Sequence, residues 1–348
     1  MAAHDPLSLE PAELTEPDTA AIRRRQFHLG LITATLLPLL SLPFLAAVEA
    51  PFGSSFMLGL AIFIGGVGHV ASTATVYADQ GARELMADHP LRFKVVPLVT
   101  IAFTMVCLAW GASMTIPVNV VAGFFLVHLL WLHYHYQKQN YGLIAFAAAG
   151  NGHSVPRVLA TAMLLPALAG CVVMIPALVA GALPEIVVFE PYRPIFHTIG
   201  IIIYVTGALA MASVIMRKPA VFRDPLTGTY TAGALLFFLP PILLDNPDYA
   251  FWSYAIAHGF QYLFMVRLFT ANGGPKLLMI TAFLIAVAAG GLFLHKLAGN
   301  HALFLCGIFL TWVHFILDAK LWRMSENKPR RLITKRFAFI FNPTGTQR

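Results

Sequence analysis

Apolar stretches long enough to cross a lipid bilayer recur along most of the chain, from residue 28 to residue 324. A hydrocarbon core about 30 Å thick is crossed by roughly 20 apolar helical residues. Hydrophobic residues make up 58% of the chain and charged residues only 11%, a composition unlike that of a soluble domain. The sequence therefore predicts an all-α protein, a polytopic transmembrane helical bundle.

The apolar stretches predict about ten membrane spans. The seventh is short and contains Pro240 and Pro241, so a broken or re-entrant segment is expected there. The approximate bounds of the predicted spans, from the first to the tenth, are 28–49, 55–78, 94–115, 117–137, 157–183, 194–216, 229–245, 249–271, 275–298 and 301–324.

The charges between the spans predict which side of the membrane each connection occupies. Connections rich in Lys and Arg alternate with poorly charged ones, and basic connections lie on the cytoplasmic side. Both termini are basic next to the membrane, so both are predicted to be cytoplasmic, with an even number of spans between them. This arrangement accounts for the net charge of +7 without a nucleic-acid partner, and the expected location is the cell inner (plasma) membrane.

Three regions follow from this topology. Residues 1–26 are polar and are expected to form a flexible cytoplasmic arm, residues 27–324 the transmembrane domain, and residues 325–348 a basic cytoplasmic tail. Apolar residues alternate with basic ones in the tail, which is typical of a segment that lies along the membrane surface. The apolar residues of the tail are Leu332, Ile333, Phe337, Phe339, Ile340 and Phe341.

Four histidines lie deep inside predicted spans. Ionisable side chains are rare at such positions and usually functional. The spans concerned are the second, fourth, eighth and tenth, which all run in the same direction, and a rise of 1.5 Å per residue puts the four imidazoles roughly 14 to 21 Å below the outer surface. They are expected to share one layer of the bundle. The four are His69, His128, His258 and His314.

Helical periodicity gives these histidines neighbours on their own helix faces. In the fourth span His135 and Gln139 share a stripe with His128, while His133 and Asn140 point to another face. Thr73 shares a stripe with His69 in the second span. In the eighth span, the residues that accompany His258 are Tyr254, Gln261 and Tyr262.

His314 and Asp318 are four residues apart and therefore adjacent on one helix face. A carboxylate can bind a metal directly or accept the proton from one imidazole nitrogen, which leaves the other nitrogen free for the metal. The segment HFILD that contains them resembles a histidine and aspartate pair in retinal-forming membrane carotene oxygenases. The resemblance covers five residues and identifies no family.

These residues predict a metal centre inside the membrane. Several histidines with one carboxylate favour iron without haem, in a mononuclear or a dinuclear centre, with copper and zinc as alternatives. The expected activity is oxidation, desaturation or cleavage of a lipophilic substrate such as an acyl chain, a polyene or an isoprenoid, with an electron donor as a partner. Tyr254, Gln261 and Tyr262 are predicted to donate hydrogen bonds to oxygen or substrate. The predicted ligands are His69, His128, His135, His258, His314 and Asp318.

Three other interpretations stay open at this stage. Two deep histidines could bind haem b in an electron-transfer protein, although the CxxCH sequence of covalent haem is absent. The histidines and Asp318 could serve a proton- or metal-coupled transporter, although the two halves of the chain show no repeat. Each histidine could also be a packing residue that forms hydrogen bonds inside the bundle. The glycines next to His69, which are Gly65, Gly66 and Gly68, are expected to serve helix packing.

Overall fold

The computed structural model describes residues 16–48, 62–113, 116–183, 189–270 and 305–341. All regular elements in these ranges are helical and none is a strand, which confirms the all-helical prediction. We number the helices in chain order: α1 (Glu16–Val48), α2 (62–78), α3 (Gln80–Ala87), α4 (Val96–Ser113), α5 (Val118–Gly150), α6 (Arg157–Ala182), α7 (Arg193–Arg217), α8 (Pro219–Phe222), α9 (Pro225–Leu236), α10 (Pro240–Leu243), α11 (Pro247–Phe269), α12 (305–321), α13 (Asn327–Arg336) and α14 (Ala338–Phe341).

The helices that could span a membrane are fewer than the ten predicted stretches. Four helices in the described ranges have the length and hydropathy of a membrane span, and a fifth is added if α3 and the helix after it, which are bent by 110°, form one span. The ninth predicted span, 275–298, lies outside the described residues. The four are Thr19–Phe44, Val118–Gly150, Arg157–Gly181 and Glu190–Arg217.

Large apolar side chains cover the outer faces of these helices. Leu98 on α4 is 65% exposed, and Ile202 and Leu209 on α7 are 61% and 64% exposed. Side chains of this kind are stable on an outer surface when lipid, rather than water, surrounds them. The exposed faces therefore agree with a protein that lies in a membrane.

The central helix of the bundle is α11, which is not among the four apolar spans. Its polar side chains His258 and Gln261 are buried, as are Tyr254 and Tyr262. Because the other helices surround it, α11 needs no apolar face towards lipid. It can carry the polar residues that lower its hydropathy.

The winding of α2 changes along its length. It begins as a π-helix over Ile62–Gly68, continues as an α-helix over His69–Ser72 and ends as a 3₁₀-helix over Thr73–Ala78. Wide turns of this kind are uncommon and are often found at functional sites. His69 is the first residue after the π-helical part.

The seventh predicted span is broken, as its prolines indicate. α9 ends at Leu236, and α10 begins at Pro240. Proline lacks the backbone N–H that would continue the helix. Both Pro240 and Pro241 are buried, so the break lies inside the bundle.

Part of the predicted N-terminal arm is helical in the described residues. α1 begins at Glu16, within the region expected to be a flexible arm, and Arg24 anchors it by a hydrogen bond to Asn151 and an ion pair with Asp224 at 4.0 Å. Residues 1–15 lie outside the described residues.

The C-terminal segment packs into the protein instead of presenting all its apolar residues to the membrane surface. Ile333, Phe337 and Ile340 are almost completely buried. α13 lies beside α3, where Arg336 donates a hydrogen bond of 2.8 Å to Asp79. The prediction of a surface segment was wrong for these three residues, because sequence alone could not reveal the protein surface that covers them.

Candidate metal centre

Four imidazole rings form a closed ring of edge-to-face contacts in the core. The ring centroids of His69 and His258 are 4.9 Å apart, and those of His258 and His135 are 5.0 Å apart. His135 lies 5.2 Å from His314, and His314 lies 5.0 Å from His69. Together with Asp318, one turn after His314 on α12, we call these residues the histidine cluster. Four helices supply it: α2, α5, α11 and α12.

A contact between backbones holds α2 against α11 at the cluster. A Cβ atom added to Gly259 would lie 1.8 Å from the carbonyl oxygen of Gly65, and one added to Gly65 would lie 2.8 Å from Ile256. Only glycine permits this approach at both positions. Gly65 therefore serves helix packing, as the sequence indicated, and the contact brings His69 close to His258.

The same carbonyl fixes the protonation of His69. Its Nδ1 is hydrogen-bonded to the oxygen of Gly65, which can only accept. Nδ1 therefore carries the proton, and Nε2 carries the lone pair. A backbone carbonyl that holds one imidazole nitrogen in this way is the usual support of a metal-binding histidine.

A chain of hydrogen bonds fixes His314 in the same tautomer. Tyr262 donates to Oδ1 of Asp318 at 2.8 Å, so its only proton is used there. Thr73, 3.1 Å from the Tyr262 hydroxyl, must then donate to it. Since the Thr73 proton is also used, Nδ1 of His314, 2.7 Å from Thr73, must be the donor in that contact. Nε2 of His314 therefore carries a lone pair.

The histidine cluster is mostly buried and rich in unpaired nitrogens. His258 and His314 are 0% exposed and His69 is 5% exposed, while His135 is half-buried. Among the described residues, no hydrogen-bond partner exists for Nε2 of His69, His135 and His314, or for either ring nitrogen of His258. A buried polar group without a partner costs about 1 to 3 kcal/mol. Five such nitrogens in one place are available to a ligand.

The unpaired atoms are close enough together to bind an ion. The ligand atoms of His69, His258 and His314 lie within 4.8 Å of one another, and so do those of His135, His314 and Asp318. His314 belongs to both groups. Its Nε2 is 3.6 Å from Oδ2 of Asp318, so the carboxylate faces the nitrogen of His314 that has no hydrogen-bond partner among the described residues.

Aromatic rings shield the cluster. Phe315 stacks on His135 with 4.2 Å between the centroids, and Tyr136 lies over His258 at the same distance. Phe315 and Tyr136 are buried. These rings limit the access of water and keep the imidazoles in fixed orientations.

Three of the sequence-predicted site residues lie outside the cluster. His128 belongs to neither ligand group and stacks on Phe315 with 6.2 Å between the centroids. Tyr254 is hydrogen-bonded to Nε2 of His133 at 2.8 Å, on another face of α5. Gln261 bonds to Thr35 and Gln139. Of the three predicted hydrogen-bond donors, only Tyr262 borders the cluster.

Sequence reasoning assigned no role to Thr73, which links His314 to Tyr262. Thr73 is four residues after His69, on the same predicted helix face, and this position is the sequence feature that could have indicated a role beside the histidines. His133 was correctly separated from His135 by helical periodicity. Its Nδ1 donates to the oxygen of Leu129 at 2.8 Å and its Nε2 accepts from Tyr254, so both ring nitrogens are paired.

No protein-family model, curated protein or solved structure matches the chain.

Proposed function

We propose that the histidine cluster binds one non-haem iron ion and that the protein is an integral membrane oxidoreductase of the oxygenase type. Its substrate is lipophilic, such as an acyl chain, a polyene or an isoprenoid. The observation that carries the proposal is the convergence of unpaired imidazole nitrogens from His69, His135, His258 and His314 in a buried, apolar core.

The donor set favours iron among the candidate metals. The group His135, His314 and Asp318 has the two-histidine, one-carboxylate composition that is typical of non-haem iron enzymes. His69 and His258 add two further imidazoles, whose centroids lie 5.0 and 6.4 Å from that of His314. No cysteine lies in either group, which disfavours ions that prefer thiolate ligands.

One ion fits the cluster better than two. Both ligand groups use His314, whose Nδ1 is engaged with Thr73, so only Nε2 is available. A single nitrogen lone pair binds a single ion, and the two groups therefore describe parts of one shell. Nitrogens bound at about 2.1 Å in a tetrahedral shell lie about 3.4 Å from one another, so ligand atoms that are up to 4.8 Å apart would approach one another by up to about 1.4 Å when the ion binds.

The protein residues would have distinct roles around the iron. Iron with these ligands supplies a redox-active centre that activates dioxygen, and an external donor supplies electrons. Hydrogen bonds to Gly65 and Thr73 keep the proton on Nδ1 of His69 and of His314, so that each Nε2 is free to bind the metal. Tyr262 orients Asp318 through its hydroxyl. Phe315 and Tyr136 exclude water.

Haem b fits the arrangement less well. A macrocycle between two axial histidines would need a wide planar gap between their rings. His258 and His314 are 6.4 Å apart, a separation suited to axial ligands. However, His69 and His135 each contact both of these rings at 4.9 to 5.2 Å and would occupy the plane of the macrocycle.

The finer topology forms part of the proposal. Ten spans, both termini in the cytoplasm and insertion in the inner membrane are the arrangement that the alternation of basic and poorly charged connections favours. Cysteines introduced as Arg331→Cys and Glu190→Cys, one at each predicted side, test it with a membrane-impermeant maleimide. The native Cys107, Cys171 and Cys306 are buried, which keeps the background low. Labelling of Arg331→Cys in intact cells would contradict the orientation.

Metal analysis with an optical spectrum tests the central claim. The native protein, His258→Ala, His314→Ala and the matched control His133→Ala would be purified in detergent from iron-supplied cells. His133 is equally buried but has both nitrogens paired. We expect about one iron per chain, no haem band, and loss of iron in the first two variants only.

Two results would refute the metal centre. One is a well-folded native protein without bound metal, and the other is iron retained in both His258→Ala and His314→Ala. A strong haem band would instead identify an electron-transfer protein. If iron is present as expected, dioxygen consumption with a reductant and a series of lipid-soluble compounds tests the oxygenase activity.

A further inference from the structure

A cavity of about 120 Å³ lies next to the histidine cluster, between α1, α5, α9 and α11. Its wall is mainly aliphatic and includes Leu236, which is 44% exposed and marks its outer end. Its inner end contains the buried polar residues Thr35, Asn140 and Gln261. The cavity therefore runs from an apolar outer surface to a polar floor.

The floor of the cavity is directly connected to the helix that carries His258. Gln261 lies three residues after His258 on α11 and accepts a hydrogen bond of 2.9 Å from Gln139. Gln139 also donates to the backbone oxygen of His258 at 3.2 Å. A layer of two amide side chains, Gln139 and Gln261, thus links the cavity floor to the backbone of His258 in the histidine cluster.

One polar group in the wall lacks a partner. Tyr230 lines the cavity and is 8% exposed, and its hydroxyl has no hydrogen-bond partner among the described residues. The floor amides and Thr35 are bonded to one another and so offer less to a ligand. Among the residues that line the cavity, Tyr230 is therefore the one whose polar group has no hydrogen bond in the described residues.

The size of the cavity limits what it can contain. Its 120 Å³ is slightly less than the roughly 150 Å³ of an apolar cavity that binds benzene. A few carbon atoms fill it, and the rest of a longer molecule would remain in the surrounding lipid. The aliphatic wall favours a hydrocarbon chain.

We infer that this cavity binds one aliphatic molecule that carries a hydroxyl or carbonyl oxygen, with that oxygen hydrogen-bonded to Tyr230. The inference deepens the proposed function by naming the substrate class of the metal centre, and the substrate role rests on that function. Binding itself depends only on the cavity. The oxygenated end lies next to the amide layer beside His258, and the chain extends past Leu236 towards the lipid.

A glycine allows the cavity to be filled without altering its floor. A Cβ atom added to Gly233, which lines the cavity, has only Thr35 within 4 Å, at 3.9 Å. The side chain of Gly233→Phe would therefore extend into the space between α9 and α1. Gly123→Phe is the matched control, because a Cβ atom at Gly123 meets nothing within 4 Å and this residue is exposed.

The test uses full-length protein in lipid nanodiscs and a photoactivatable long-chain alcohol, with cross-linked peptides identified by mass spectrometry. We expect saturable labelling within residues 32–36 or 229–236 that excess hexadecanol suppresses and excess hexadecane suppresses about tenfold less. Gly233→Phe should abolish this labelling and Gly123→Phe should retain it. Tyr230→Phe should weaken binding of the alcohol about fivefold to tenfold.

Iron content is measured in the same samples, so that the two proposals can fail separately. Saturable labelling that Gly233→Phe removes supports the binding site whether or not iron is present. Labelling that is not saturable, that hexadecane suppresses as well as hexadecanol, or that persists in Gly233→Phe overturns it, even if iron is bound stoichiometrically. Absence of iron from the native protein would refute the metal centre but not the binding site in the cavity.

Discussion

Two groups of polar side chains lie side by side in the core, and they differ in whether their hydrogen bonds are complete. The first is the histidine cluster, with five unpaired ring nitrogens among the described residues. The second we call the amide network, whose side chains bond to one another or to the backbone, with none of their buried atoms unpaired. The amide network consists of Thr35, Gln137, Gln139, Asn140 and Gln261.

Polar residues that only join helices satisfy one another, since an unpaired group in a core costs free energy. Under the proposed function, the unpaired nitrogens of the histidine cluster are those that bind the metal. His133 and His135 repeat the contrast within two positions of one helix, because His133 has both nitrogens bonded and His135 has Nε2 unpaired.

The largest expected effect comes from placing a methyl group at the close contact between α2 and α11. In Gly259→Ala the new methyl group would lie 1.8 Å from the Gly65 oxygen, which forces the helices apart and separates His69 from His258. We expect loss of bound iron and a destabilisation of about 3 kcal/mol or more, measured by metal analysis and thermal unfolding in detergent. Alanine favours a helix over glycine by about 1 kcal/mol, so stabilisation would contradict the tight contact. Gly123→Ala, at an open position, should keep its iron.

Removing the carboxylate charge tests the cluster without creating a space. Asp318→Asn has the same shape but is a poor metal ligand, and it can no longer accept from Tyr262 as a carboxylate does. We expect metal affinity to fall about 10-fold to 100-fold, measured by competition with a chelator of known affinity. Unchanged affinity would show that Asp318 neither ligates nor orients. Gln137→Leu, in the amide network, is the control that should leave metal affinity unchanged.

A smaller effect is expected from the hydrogen-bond chain. Thr73→Val removes the hydroxyl that accepts from His314 and donates to Tyr262, so His314 loses its fixed tautomer. Metal affinity should fall about tenfold, at the lower end of what supporting hydrogen bonds contribute. Thr75→Val, two residues later and also buried, should leave the affinity unchanged. Equal metal affinities in Thr73→Val and Thr75→Val would show that the hydrogen bonds of Thr73 do not support metal binding by His314.

The smallest effect is expected outside the cluster. His133→Phe leaves the Tyr254 hydroxyl without its partner and should lower the free energy of unfolding by about 1 kcal/mol, a typical value for hydrogen bonds in membrane proteins. Iron content should remain that of the native protein. Loss of iron in a folded His133→Phe protein would remove the distinction between paired and unpaired histidines on which the comparison rests.

Much of the cluster could be anticipated from sequence because depth and periodicity are local properties. Three of the four deep histidines, His69, His258 and His314, meet in the core, and periodicity assigned His135 and His133 to different faces of α5. His128 illustrates the limit of this argument. It shares the stripe of His135 but lies two turns away, and whether a partner helix reaches it depends on how helices pack.

The remaining errors have the same physical origin. Tyr254 and Tyr262 are on one helix and looked equivalent, yet Tyr254 faces α5 and Tyr262 faces Asp318. Sequence alone does not reveal the order of helices around α11. The changing winding of α2 was also invisible, since a period of 3.6 residues was assumed throughout.

The hydrogen bond between α2 and α12 has a consequence for the order of events during synthesis of the protein. Thr73 and His314, which contact each other, are 241 residues apart, and at 5 to 20 residues per second synthesis of the intervening chain takes roughly 12 to 48 s. During that interval His69 is already inserted while the segment carrying His314 and Asp318 does not yet exist. If the histidine cluster binds iron as proposed, the ion can be acquired only after the last helices join the bundle, and a chain truncated before His314 would lack two of the proposed ligands.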